Sequence, residues 1–149
     1  MSGLGKTVVA SGQPERGRAL LTEAIERFQE LTAAPGVVDG NIFLGVAERD
    51  LGDPRRAAGH LLAALTDPGI HWSDDADFWT LQFAASVIAD RATAAVLVGA
   101  AATAYGRSAV DQPVFVQEEL AAVQRRLAGD LDPEELGRHL RTGERRTPQ

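Results

Sequence analysis

The 149 residues carry 21 acidic against 15 basic side chains, a net charge of −6, and no cysteine. Zero cysteines exclude disulfides and thiolate metal sites, and the negative balance argues against broad nucleic-acid affinity, which depends on neutralising phosphates. The hydrophobic share of 44% suits one soluble domain with its own core, no apolar run reaches membrane-spanning length, and no secretory signal opens the chain, so the expected address is cytoplasmic.

The first stretch, SGLGKTVVASG (2–12), contains Gly5-Lys6-Thr7, the closing letters of a phosphate-binding P-loop. That motif needs a glycine five residues before Gly5, after a strand, and the position falls before Met1. No second acidic strand end follows to hold magnesium. The alternative, a helix ending at Gly12, is the reading carried forward. The segment 12–31 places Pro14 in a first helical turn and lines up Leu20, Leu21, Ala24, Ile25, Phe28 and Leu31 at helical spacing. In 52–65, Asp53 stands where a carboxylate caps a helix and Pro54 follows it. The loop TDPGIHWSDDADFW (66–79) is the most polar stretch. His71, Asp74, Asp75 and Asp77 there are weighed as metal ligands or an acid-base pair. The preferred reading is structural: Pro68-Gly69 ends one helix and the aspartates favour the positive start of the next. ATAAVLVGAAATA (92–104) is apolar all round, which predicts burial between layers. Val116, Leu120, Val123 and Leu127 form a stripe expected to cover it, and Asp132-Pro133 starts a last helix. Arg125, Arg126, Arg138, Arg141, Arg145 and Arg146 make the end locally basic, diluted by Glu134, Glu135 and Glu144, and read as a solvated helix face and frayed tail. Nothing alternates with a period of two, so the chain is predicted to be all helix.

Residues 4–24 superpose on 44–64 at an offset of 40: Leu4 on Leu44, Gly5 on Gly45, Gly12 on Gly52, Pro14 on Pro54, Leu21 on Leu61 and Ala24 on Ala64. A third copy, 81–101, fits at a further offset of 37, with Asp90 on Asp53, Ala94 on Ala57 and Ala101 on Ala64. Recurrence at this length is the mark of a solenoid of helix pairs. In the middle copy Leu44-Gly45, then Gly52, Ala57 and Ala64 resemble the tetratricopeptide repeat, with Pro68 closing it one residue early and Gln82 and Ala89 replacing the glycines in the third copy. Residues 89–144 resemble the end of the C-terminal helical-repeat sensor in large bacterial ATPase-type transcriptional regulators. The ATPase and DNA-binding parts of such proteins are not in this sequence.

The resemblance implies a right-handed all-α solenoid of about three helix pairs (1–35, 36–70 and 74–107, within 1–111), C-terminal capping helices over 112–142 and a disordered tail over 143–149. It implies a concave surface built by the first helix of each pair, with Ile42, Val46, Arg49 and Asp50 from the middle copy, Trp79, Phe83 and Ser86 from the third, and Lys6 and Val9 from the first. That surface suits a protein or peptide partner, with Trp79 and Phe83 equally placed to be core. The expected function is a non-catalytic interaction or sensor module without metal or cofactor. The alternatives are a small-molecule sensor using the same groove and, third, an enzyme using the 71–77 loop. The short first helix points to a chain cut or truncated from a longer array, with self-association through its open N-terminal repeat.

Overall fold

The computed structural model describes residues 2–67, 74–107, 111 and 114–146, with backbone alone for 2, 3, 74–77, 107 and 146. Eight α-helices and no strand occur among these residues, and the chain divides into two compact units, Met1–His71 and Trp72–Gln149. No described helix is long and apolar enough to cross a membrane.

The first unit contains α1 (Ser2–Ala10), α2 (Pro14–Glu30), α3 (Ala34–Asp50) and α4 (Pro54–Thr66). Three turns of the same construction join them. In each, a residue in the left-handed region ends the helix: Gly12 at φ 77°, Thr32 at 51° and Gly52 at 81°. Its N–H donates three residues back, to Val9, Gln29 or Arg49, and the next N–H donates five back, to Val8, Phe28 or Glu48. This is the glycine-type cap that satisfies a helix's last carbonyls. The 40-residue sequence repeat therefore consists of two 20-residue halves with equivalent turns. Thr32 hides the half-repeat in the sequence, because a β-branched residue is a poor predictor of left-handed backbone.

Glycine also sets how closely these helices approach. A Cβ added at Gly5 would lie 2.7 Å from Leu21 Cγ, and one at Gly45 would lie 2.8 Å from Leu61 Cγ. The two contacts are 40 residues apart on both sides. Between α2 and α3, Ile25 seats on Gly40 and the Phe28 ring on Gly36, each within 2.5 Å of where a Cβ would be. Gly5-Lys6-Thr7 thus lies in a helix, with Gly5 serving as a packing notch.

The second unit contains α5 (Asp74–Val87), α6 (Arg91–Arg107), α7 (Val114–Asp130) and α8 (Pro133–Arg146). The apolar α6 is packed by the other three helices. Val123 and Leu127, with Leu120 beside them, cover Ala85, Ala94, Ala95 and Val98, while Val116 joins Phe78, Ala101 and Ala104. The stripe on α7 lies where the sequence placed it. Against α8 the approach is backbone on backbone: a Cβ at Gly99 would stand 2.1 Å from the Leu140 carbonyl oxygen, and one at Gly143 would stand 1.9 Å from that of Val96. This contact revises the tail expected from residue 143, since Gly143 is buried and α8 continues to Arg146.

The start of α6 repeats the start of α4 at the offset of 37. Asp90 accepts the Thr93 N–H at 2.9 Å as Asp53 accepts that of Arg56 at 3.0 Å. The Thr93 hydroxyl and N–H hold the Asp90 carboxyl below its usual range, with a smaller lowering from His139. The end of α5 does not repeat that of α3. Ala89 stands where Gly52 would fall and does not take a left-handed conformation. The carbonyls of Ala85 and Ser86, equivalents of Glu48 and Arg49, accept instead from the Arg126 guanidinium of α7 at 2.8 and 3.1 Å. Gln82, at the place of Gly45, is fully buried and donates Nε2 to the Val116 carbonyl of α7 at 2.8 Å. Both departures from the repeat are engaged by α7, which is why residues 74–107 group with the C-terminal helices and not with the two preceding pairs.

Gly99→Ala should destabilise the second unit by about 2–3 kcal/mol or more, because no rotamer change relieves a clash with a carbonyl. Gly59→Ala, where nothing lies within 4 Å of the added carbon, should stabilise by about 0.5–1 kcal/mol. Urea unfolding followed by far-UV circular dichroism reads both; equal effects at the two positions would refute the backbone-contact account.

Candidate binding surfaces on helix α3

Helix α3 lies between α2 and α4 and also touches α1, so its circumference is divided between two different environments. On the α1 side, Lys6 forms an ion pair with Asp39, and its Nζ lies 5.0 Å from the centre of the Phe43 ring. One and two turns further along, Val46 is buried, and Arg49 pairs with Asp50 through Nη2 at 2.7 Å and Nε at 2.9 Å. The buried Phe43 and Val46 are therefore bracketed by one cation–anion pair at each end. Ion pairs this accessible contribute little to stability, so the polar groups here are available for exchange with a partner's charges.

The residues named from sequence divide by exposure and by unit. Ile42, Val46, Val9 and Phe83 are core. Arg49 and Asp50 are accessible on α3. Trp79 and Ser86 are half-buried on α5, in the second unit. Trp79 packs on the cluster of Phe78, Ala101, Ala104 and Val116, and the Ser86 hydroxyl donates to the Phe83 carbonyl at 2.7 Å. His71 lies outside the described residues, as do the side chains of Asp74, Asp75 and Asp77. Among the described residues, no three His, Asp or Glu side chains gather in a way that would hold a metal ion.

The other side of α3 carries polar residues that sequence reading passed over. Asn41 and Glu48, two turns apart, lie on one stripe. The Asn41 amide donates Nδ2 to the Val37 carbonyl at 3.0 Å, which turns Oδ1 towards His60 Nδ1 of α4, also at 3.0 Å. That network assigns the proton of neutral His60 to Nδ1 and leaves Nε2 as a lone pair. Glu48 is a buried carboxylate with Arg18 of α2 at 3.8 Å. Burial pushes the His60 imidazole below its ordinary value, the Glu48 charge opposes that shift, and Arg56 adds to it. The signal available in the sequence was Asn41 and Glu48, two polar groups at i and i+7 on one stripe of the helix.

Where α2 turns into α3, an open cleft of about 260 Å³ is lined by Phe28, Gln29, Thr32, Ala33, Ala34 and Val37, with Asp67 from the end of α4. The Phe28 ring, seated on Gly36, forms an aromatic wall. Thr32 occupies its left-handed position at the rim, with its hydroxyl bonded to the Leu31 carbonyl at 2.7 Å.

The chain matches no protein-family model, no curated protein and no solved structure.

The depressed His60 value fixes the sign of a pH effect. Below its ordinary value of 6.5 the unfolded chain takes up the proton before the folded one does. The stability it contributes is therefore present above that value and is lost as pH falls through the folded value. Urea midpoints measured from pH 7.5 down to about 5.5 should fall for the native chain and fall less for His60→Gln; parallel curves would show that His60 is not coupled to folding.

Proposed function

We propose that this chain is a non-catalytic interaction module of the tetratricopeptide-like kind, with the α1–α3 side of its first unit as the docking surface for a protein or peptide segment. The observation that carries this reading is the alignment of Lys6, Asp39, Phe43, Arg49 and Asp50 along neighbouring helices. An extended or helical segment laid along them meets charges of both signs above the buried Phe43 ring, an arrangement that orients a partner. Arg49 is the most useful of these, since its planar head can exchange Asp50 for a carboxylate of the partner. The turns recurring every 20 residues support the solenoid reading, because they hold equivalent helices side by side as a binding surface. A regulatory role in a bacterial cytoplasm, as part of a larger sensor, follows from the resemblance of residues 89–144 and is proposed on that ground alone.

Display of a random peptide library against the intact chain should enrich sequences that pair an aliphatic or aromatic residue with an acidic one. Affinity for an enriched peptide, read by fluorescence anisotropy, should fall about ten-fold in Arg49→Ala, or roughly 1.4 kcal/mol, and stay unchanged in Arg141→Ala on the exposed face of α8. Enrichment that ignores Arg49 and Lys6 alike would sink the assignment of this surface.

A further inference from the structure

Two exposed stripes of charge, one on α8 and one on α2, carry opposite signs at the same spacing. On α8, Leu136, Leu140 and Gly143 face α6. Arg138, Arg141 and Arg145 project into solvent from roughly the opposite side of that helix. On α2, Leu21, Ala24 and Ile25 are core, and Glu23, Glu26 and Glu30 project into solvent in the same way. Both triplets follow the interval i, i+3, i+7, so each keeps within about 60° of arc and spans about 10.5 Å of helix. We propose that the two stripes form one contact between molecules: the arginine stripe of α8 docks on the glutamate stripe of α2 in a second copy of this chain.

The charges are available for such a contact. Arg138, Arg141 and Arg145 have no ion-pair partner among the described residues, and Glu135 and His139 pair with each other further round the helix at 3.9 Å. Glu26 and Glu30 have none among the described residues either, and Glu23 shares an accessible pair with Arg27 at 2.9 Å, which is open to exchange. Like charges stacked on successive turns repel, and a face of opposite sign relieves them.

The residue heading each stripe selects the occupant. Glu134 stands one turn before Arg138, and Arg16 stands two turns before Glu23, each on the line of its stripe. With the two helices side by side and running the same way, one negative and three positive charges meet one positive and three negative ones, in register to within about one turn. Run in opposite directions, the helices would bring Glu134 towards Glu30. A nucleic-acid backbone, whose charge never changes sign, would meet Glu134 as well as the arginines. No apolar side chain shares the α8 stripe among the described residues, so nothing on it would enter a bilayer.

Every copy carries both stripes, and a contact through one leaves the other exposed, so copies join head to tail. The contact is small and its pairs are solvated, which makes it transient, with a dissociation constant on the order of 0.1–1 mM at low salt. It uses neither α3 nor the docking surface there.

Sedimentation velocity of the full chain tests the contact. In about 20 mM salt the weight-average sedimentation coefficient should rise with concentration up to about 1 mM, and in about 300 mM salt the rise should disappear. Charge reversal separates this contact from a general charge effect. Arg138→Glu/Arg141→Glu/Arg145→Glu leaves both stripes acidic, and Glu23→Arg/Glu26→Arg/Glu30→Arg leaves both basic, so each variant alone should stay monomeric. Mixed in equal amounts, the two variants should associate. The chain with all six reversals keeps the native net charge of −6 and should associate with itself as the native chain does. Circular dichroism confirms the fold of each variant, and exposed sites of this kind tolerate substitution. A native chain that stays monomeric at about 1 mM in low salt would overturn the proposal. Association retained by either variant alone, or absent from their mixture, would overturn it too. Native chain that binds a short DNA duplex through the three arginines while staying monomeric would assign the stripe to phosphates instead.

Discussion

Helices in both units meet where one of them has no Cβ, and the remaining architecture depends on that contact. In the first unit a branched side chain drops into each gap: Leu21 on Gly5, Ile25 on Gly40, Leu61 on Gly45. Such a seat defines register as well as distance, because the side chain fits only at the glycine. In the second unit the gap is filled by a backbone, with Gly99 under Leu140 and Gly143 under Val96. Register between α1 and α3 then follows from their shared neighbour α2, and it is this register that brings Lys6 of one within reach of Asp39 and Phe43 of the other.

The two units close the ends of their helices by different means. Turns in the first unit are self-sufficient, since left-handed residues 12, 32 and 52 return the next amides to the last carbonyls. At the end of α5 that device is missing, and Arg126 reaches in from α7 to take the same two carbonyls. Exchange of a local cap for a long-range one ties α5 to a helix 40 residues away, so α5 and α6 belong to a unit that needs its C-terminal helices. A half-buried guanidinium on backbone carbonyls is a charge-assisted contact. Gln82, which takes a glycine's place and bonds to Val116 of α7, adds a second such tie.

Helix α3 has a different role on each side. Towards α1 its charges are paired at the surface, where solvent keeps them exchangeable. Towards α2 and α4 it buries Glu48 and couples Asn41 to His60. Those polar groups tie α3 to its neighbours, Glu48 to Arg18 of α2 and Asn41 to His60 of α4. The cleft at the start of α3 lies beyond that polar stripe and owes its walls to the turn itself. One helix thus supplies a docking face, a polar clamp and the rim of a cleft, since consecutive residues of a helix point in successive directions around its axis.

Much of the fold was legible in the residues. Helical periodicity, Pro14, Pro54 and Pro133 in first turns, the cap at Asp53 and the identities at offset 40 are local signals, and local backbone preferences decide them before any tertiary contact forms. The α7 stripe was legible for the same reason. The half-repeat at Thr32 was not, because its signal is a backbone angle that threonine seldom adopts. Neither was the extension of α8 through Gly143, since a glycine near a chain end reads as fraying until α6 is seen to lie against it. Surface and core were also indistinguishable among the candidate residues: Ile42 and Phe83 have the same apolar character as a ligand-facing residue and differ only in what covers them. Sequence by itself determined that this chain is helical and where α2, α4 and α8 begin. Tertiary structure alone decided which carbonyls Arg126 would cap, that Asn41 would meet His60 and Glu48 would meet Arg18, and that Asp67 would line a cleft with Phe28, because each joins residues on different helices, and no local preference encodes that distance.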